Sequence, residues 1–310
     1  MHRVAASLVD AERQLGLDSI LCQPFDAATF AVAQDADIHV CHTHVPLEFQ
    51  YGGKPLVWVS HGTPETVFMS AVNDGSHGSY GHSDAWMIAQ YRLKTAAAIV
   101  TFWERHAALW QSMCDRHTKV HCLPLGLDLD FWKPFPSRGK YAGAPSLFTA
   151  ENPHIIKWPL DLFLALPFVV SHPQLHNLTL HCSYMVRDQH RWFFPLVNAN
   201  GVSFHSHLTP NVYGNEDLRN VFNSIDFYIG LVRYGDFNRI CLEAKACGTK
   251  VISYEGNPYA DFWITEGDQR RIAAQLIDIL TGKTPPRETK PVVSIAETAK
   301  GMLEIYKGIG

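Results

Sequence analysis

The chain has 310 residues, 46% of them apolar and 18% charged, with 26 basic side chains against 30 acidic ones and a formal net charge of −4. A length of this order makes roughly two domains and buries enough surface to fold without disulfides or metal staples. The apolar share excludes a disordered protein, and the near balance of charge provides no general field for holding nucleic acid.

In chain order, short apolar runs alternate with helical patterns, the rhythm of parallel sheets covered by helices. Residues 4–15 have helical spacing, and Ser19–Cys22, Ile38–Cys41 and Leu56–Ser60 are compact apolar runs predicted as strands. Ser83–Thr95 is a predicted helix, Ala97–Thr101 a strand, Trp103–Arg116 a helix and Val120–Leu123 a strand. The segment from Lys133 to Gly139, with two prolines, breaks every pattern and marks a domain boundary, giving domains 1–136 and 137–292. Beyond it come strands at Ser146–Thr149, Leu178–Cys182, Gly201–Phe204, Asp226–Gly230 and Lys250–Tyr254. Helices are predicted at Lys157–Leu166, Asn215–Asn223, Arg239–Cys247, Asp268–Leu280 and, after a Pro-rich linker, Ser294–Lys307. Two α/β domains with a cleft between them is the expected architecture, with ligands at the carboxyl ends of the strands. A doubly wound domain normally opens on a strand and a glycine-rich turn, whereas this pattern opens on a helix. Either the first strand is absent or the start has been trimmed.

Seven cysteines, an odd number with no CxxC pair, point to mostly buried free thiols in a reducing compartment. The opening MHRVAASLVDAERQLG is charged within its first turns and lacks the apolar stretch of a signal peptide. The longest apolar stretch, Leu160–Val170, is too short to span a bilayer. These features predict a soluble cytoplasmic protein, with docking on a membrane surface left open. Abundant histidine (17) and tryptophan (8) suit an enzyme or a sugar binder with neutral, aromatic pockets, and composition does not choose between them. Cys41/His44, His205/His207 and His117/His121/Cys122 are suggestive metal pairs, but none has the second half of a zinc spacing nearby. Neither HExxH, a P-loop, GxSxG nor GxGxxG occurs, which leaves protease, NTPase, hydrolase and simple dehydrogenase readings without support.

The most informative stretch runs from Arg233 to Ser253. A strand ends near Gly230, a polar turn follows, and a helix opens near Asn238, whose first N–H groups and positive dipole end make an anion site suited to a diphosphate. Glu243 lies just over one turn into that helix, where a carboxylate can accept from a vicinal diol such as a ribose. Gly248 then ends the helix as a left-handed cap. The competing reading is an ordinary β-loop-α unit with Glu243 as a solvated helix residue.

This run resembles the donor-site motif of retaining glycosyltransferases of the family 4 type, EGFGLxxLEAMACGTPVI. Phe237, Leu242, Glu243, Ala244, Ala246, Cys247, Gly248, Thr249, Val251 and Ile252 match in register. The resemblance implies a GT-B fold, with two doubly wound Rossmann-like domains facing a central cleft and a last helix (293–310) that returns to the N-terminal domain. It implies that Glu243 binds the donor ribose, while the loop of Gly235, Asp236, Phe237, Asn238 and Arg239 meets the sugar and phosphate. Gly235 stands where the family carries its first Glu, which holds the sugar hydroxyls, and Asp236 is the neighbouring substitute. Val120–Pro134 resembles the family's interdomain VIPNGVDxxxFxP. Phe148–Lys157 takes the position of the family's phosphate-binding segment, with Lys157 on the lysine and Glu151 where the arginine falls. Trp263–Asp268 resembles the LVPPGD turn.

Toward the N-terminus, His42 and His44 end one predicted strand, and Ser60-His61-Gly62 resembles the family's strand–HG turn beside donor sugar and acceptor. A neutral His61 can donate to a sugar hydroxyl or to the leaving diphosphate. His42 and His44 are either acceptor-side contacts or a polar strand end. Trp103 and Glu104 lie at the equivalent of the family's AVS-E turn and either line the acceptor groove or anchor the core. The resemblance therefore implies transfer of a hexosyl group from a UDP- or GDP-linked sugar to an acceptor hydroxyl with retention. His61, Lys157 and Asp236 are the catalytic candidates, and protein cations and amides take the place of a metal. The acceptor (a glycan, a lipid-linked sugar, a small molecule or a modified base) and the oligomeric state are unreadable. The alternatives are a GT-B-like protein that binds nucleotide or glycan without turnover, and a subunit that needs a partner.

Overall fold

The computed structural model describes residues 2–22, 35–42, 53–68, 85–115, 117–136, 145–150, 160–182, 203–206, 214–232 and 239–309. Two compact units emerge: Met1–Asp128 together with Val293–Gly310, and Leu129–Val292.

The first unit is built on a four-stranded parallel sheet in the order β1-β2-β3-β4, comprising His39–His42, Leu56–Val59, Ala98–Thr101 and Lys119–Cys122. β2 and β3 are wholly buried, as their unbroken apolar runs require in a sheet covered on both faces. One face packs against α1 (His2–Gln14) and the C-terminal helix, and the other against α2 (Ala85–Thr95) and α3 (Glu104–Gln111). On the second face Trp58 and Trp110 meet edge to face, with centroids 4.9 Å apart.

Ser19–Cys22, expected as a strand, is not one. Gly16 ends α1 at φ 87°, and the Ser19 hydroxyl donates to Glu12 while its carbonyl accepts from Arg13, so the segment folds back on its own helix. The C-terminal helix, Ile295–Ile309, belongs to the first unit. Ala299, Met302 and Ile305 join Leu8, Ala11, Val57 and Val100 in one core, and Tyr306 donates to Glu12 at 2.7 Å. Its start clamps the interdomain-like motif: Gly126 N–H donates to Thr298 Oγ1, which donates to the Pro124 carbonyl, and Leu127 bridges to Ser294.

The second unit has six parallel strands in the order β10-β9-β8-β5-β6-β7. These are β5 (Ser146–Thr149), β6 (Thr179–Cys182), β7 (Ser203–Ser206), β8 (Phe227–Gly230), β9 (Lys250–Tyr254) and β10 (Phe262–Ile264). In chain order this is the 3-2-1-4-5-6 arrangement of a doubly wound dinucleotide-binding sheet, whose winding reverses between β5 and β8. Leu147 pairs with Phe227 and Phe148 with Tyr228 at that reversal. The junction is pinned at its start, where Asp226 accepts from the Ser146 N–H and hydroxyl and returns its own N–H to Ser146 Oγ.

Helices α4 (Leu160–Val170), α5 (Asn215–Phe222), α6 (Arg239–Ala246) and α7 (Gln269–Leu280) complete the unit, and the C-terminal helix is α8. α4 runs past the expected end at Leu166 and through Pro167, because Leu162, Leu166 and Val169 all seat in the core with Leu276 and Ile279 of α7. α7 opens on Asp268, whose carboxylate caps the Arg270 and Arg271 N–H groups. The three-residue β10 was not foreseen from its pattern; it pairs with β9 through Phe262 and Ile252.

Among the described residues no helix is long and apolar enough to cross a membrane, and no cysteine is in a disulfide. Of the six cysteines whose side chains are described, Cys241 and Cys247 are buried, Cys22, Cys41 and Cys114 are partly exposed and Cys122 is exposed, so among these the expectation of mostly buried thiols does not hold.

Candidate functional site

Two groups of side chains stand at the carboxyl ends of the two sheets, and each is described within its own unit.

In the second unit, α6 begins at Arg239 in the connection that follows β8, at the sheet's reversal point. Cys241, Leu242 and Ala244 are buried, which fixes the face that α6 turns to the sheet. Glu243 shares that face and is fully buried, so its alternative as a solvated helix residue does not hold. A lone carboxylate in such surroundings is costly unless paired. Arg239 Nε donates to Glu243 Oε1 at 2.9 Å, one turn away, with exposures of 13% and 0%. The i,i+4 spacing of Arg and Glu was the signal for this pair in the sequence. After Ala246 the chain turns at Gly248, in the left-handed region at φ 85°, as the cap reading expects. Cys247 packs beneath, its thiol pushed up to about 12 by burial, so it stays protonated and serves packing.

The chain leaving β5 leads to Glu151 and Lys157, and the chain leaving β8 leads to Gly235, Asp236, Phe237 and Asn238. These six residues lie outside the described ones. Within the described part of the unit, two side-chain contacts join distant parts of the chain. Tyr254, at the end of β9, donates its hydroxyl to the buried Asp161 in the first turn of α4. Lys245 of α6 pairs with Asp261, whose other oxygen accepts from Val251 N–H at 2.8 Å. Neither contact was read from the sequence, since each joins residues far apart in the chain.

In the first unit, β1 ends on His42, and His61 follows two residues after the end of β2. His42 Nδ1 lies 3.0 Å from His61 Nε2, and the Phe102 ring, just beyond β3, sits 5.3 Å from the His61 ring. Burial holds His42 down to about 4, so its ring is neutral at physiological pH. Gly62 follows with its carbonyl fixed by Trp110 Nε1 at 2.8 Å and by the Ser60 hydroxyl at 3.1 Å. Thr63 then caps the helical turn over residues 64–68, its Oγ1 accepting from Thr66 N–H. Trp103 is partly buried at the N-cap of α3 and packs on His106 at 5.0 Å, while Glu104 is exposed in the first turn. His61, Gly62 and His42 are thus brought together, Trp103 and Glu104 follow Phe102 in the next connection, and His44 lies outside the described residues. Among the described residues no group of three or more His, Cys, Asp or Glu side chains is arranged to hold a metal ion.

No family profile matches the chain, and no curated protein sequence does. Solved structures do. HepE from Anabaena, in complex with UDP-glucose, is similar at 15% identity over 91% of this chain and 80% of its own, with a TM-score of 0.59. Sucrose-phosphate synthase from Thermosynechococcus elongatus is similar at 13% identity over 91% and 76%, with a TM-score of 0.63. OtsA, in its apo form, is similar at 13% identity over 99% and 73%, with a TM-score of 0.58. These likenesses show the fold: the chain has the GT-B architecture.

Proposed function

We propose that the chain is a retaining glycosyltransferase of the family 4 type, moving a hexosyl group from a UDP- or GDP-linked sugar to an acceptor hydroxyl. One observation carries this reading: a fully buried carboxylate, Glu243, on the helix that follows β8 at the reversal point of a 3-2-1-4-5-6 sheet. Open α/β sheets take their nucleotides at that point. The solved structures of HepE with UDP-glucose and with UDP and glucose give the same fold a nucleotide-sugar context.

On this reading Glu243 accepts from the donor ribose, with Arg239 holding its carboxylate in place. Lys157 and the N–H groups opening α6 near Asn238 neutralise the departing diphosphate, an electrostatic contribution of the preorganised kind. Gly235, Asp236 and Phe237 line the sugar, with Asp236 in the role of the family's missing carboxylate, and Glu151 borders the phosphates. The first unit contributes the acceptor-side residues His42, His44, Gly62, Trp103 and Glu104, and His61 meets a hydroxyl. With no dedicated base assigned, the leaving phosphate takes the acceptor's proton as the new glycosidic bond forms on the same face. Protein cations and amides perform the neutralisation, so no metal is required, and the enzyme works in the cytoplasm or at a membrane surface.

Calorimetric titration with UDP and GDP, followed by donor hydrolysis, tests the reading. Glu243→Ala and Lys157→Ala each weaken nucleotide binding by more than about tenfold, roughly 1.4 kcal/mol, as loss of a charge-assisted contact should. Wild-type affinity in both variants removes the donor-site assignment. A second reading, nucleotide binding without turnover, is favoured by Gly235 and Glu151 standing where the family carries Glu and Arg. Tight binding with no hydrolysis or transfer from any donor selects it.

A further inference from the structure

β1 and β2 are parallel neighbours with His42 opposite Val59, so the end of β1 comes level with the residues that lead into His61. The two rings lie with centroids 5.3 Å apart and planes tilted by 31°, and Nδ1 of His42 is 3.0 Å from Nε2 of His61. On its other flank His61 meets the Phe102 ring at 5.3 Å. A nitrogen–nitrogen hydrogen bond holds a single proton, so one ring donates and the other accepts. We propose that His42 is a positioning residue for His61: its Nδ1 accepts the His61 Nε2–H, fixing the orientation of that ring and making His61 Nδ1 the acceptor end. The inference rests on the reading above, in which His61 meets a hydroxyl of donor or acceptor.

The direction of the bond follows from chemistry on both sides. Burial keeps His42 uncharged through the neutral range, so its ring carries one N–H and one lone pair, and the tautomer decides which of them faces His61. In the proposed direction both rings carry their proton on Nε2, the tautomer that neutral histidine favours; the reverse direction needs both in the minor form. Rings held between a hydrogen bond and an aromatic face lose little further freedom when a ligand arrives, which is how a supporting contact aids a reacting group. The consequence is selective. A group that meets His61 Nδ1 must bring a proton, which a sugar or acceptor hydroxyl does and an ionised diphosphate oxygen does not. His61 therefore reads hydroxyls and does not neutralise the leaving group.

The test uses the full chain with ¹⁵N-labelled histidine and no nucleotide. Scalar coupling across the hydrogen bond should join a protonated, pyrrole-type His61 Nε2 to an unprotonated, pyridine-type His42 Nδ1, and should vanish in His42→Phe. Absence of coupling in the wild type, or coupling with the two nitrogen types exchanged, overturns the proposal. Turnover supplies the second arm, measured as UDP-glucose hydrolysis. His42→Phe should lower kcat on the order of tenfold with KM for donor changed by less than about twofold, and H42N, whose Oδ1 takes the place of Nδ1, should recover to within about threefold of wild type. H42N as impaired as His42→Phe overturns the positioning role. If the wild type turns over no donor, the transferase reading fails while the coupling experiment still decides the hydrogen bond.

Discussion

Replacing Arg239 by methionine keeps the apolar stem of the side chain and removes only the guanidinium. The structure sets the size of the effect. Glu243 is fully buried, Arg239 is 13% exposed, and the Nε–Oε1 distance is 2.9 Å, so this pair is not a solvent-screened surface bridge worth about 0–1 kcal/mol. Removing one partner of a buried pair costs about 3–5 kcal/mol. The lower end applies because Arg239 is still 13% exposed and water can reach the gap it leaves, giving about 3 kcal/mol. For a unit of roughly 150–250 residues, 1 kcal/mol moves the midpoint by about 2–4 °C, so the transition of the second unit should fall by roughly 6–12 °C. Thermal unfolding followed by circular dichroism measures this, and the double variant R239M/E243M completes the cycle. A pair of well-packed apolar side chains in place of the ions should recover most of the loss, because the desolvation cost of both charges disappears together. A drop below about 2 °C in Arg239→Met, or a double variant less stable than the single, would mean that the pair is not a buried ionic unit.

Three further outcomes follow from the same reasoning. A methyl group at Gly126 would lie 2.6 Å from the Ser294 carbonyl carbon and 2.7 Å from Ile295 Cα. Gly126→Ala should therefore destabilise the first unit by about 2–3 kcal/mol in urea titrations, against about 1 kcal/mol for Gly16→Ala, where the strain is only that of a left-handed backbone. Tyr254→Phe removes the donor to the buried Asp161 carboxylate and should cost about 1.5–3 kcal/mol, read as a lowered denaturation midpoint of the second unit. Finally, His42 is held down to about 4 from an ordinary value of 6.5, so the unfolded chain binds more protons between these limits and stability rises with pH. The contribution is complete above pH 6.5 and is lost as pH falls toward 4, by up to about 3 kcal/mol, and H42N should flatten that part of the wild-type profile.

Much of the fold was legible because its signals are local. The four- and five-residue runs Ala98–Thr101, Ser146–Thr149 and Lys250–Tyr254 are apolar enough to require burial on both faces, and each emerges as a strand of a parallel sheet. Helical periodicity located α1, α7 and α8 to within a few residues, and Gly248 marked the end of α6 by the backbone conformation it adopts. The spacing around Glu243 pointed to a carboxylate near a helix start, and the alternation of elements pointed to two doubly wound units.

What the sequence could not contain is the identity of each neighbour. A strand's own pattern states that it is buried and is silent on what lies beside it, so β5 and β8, some eighty residues apart in hydrogen-bonded pairs such as Ser146 with Asp226, are joined only when the sheet forms. That pairing creates the reversal point on which the donor-site reading rests. The same limit hid β10, whose three residues are too few for a period, and let Ser19–Cys22 pass as a strand when contacts to Glu12 and Arg13 hold it against α1. Sequence placed Glu243 on a helix; packing decided that it is buried with Arg239 and not solvated. Sequence placed a histidine at the end of each of two strands, and only their lateral register in the sheet brings the rings into hydrogen-bonding contact. Periodicity along a chain encodes which face is hidden, whereas the partner across a parallel sheet is fixed by the closure of long loops, a property of the whole unit.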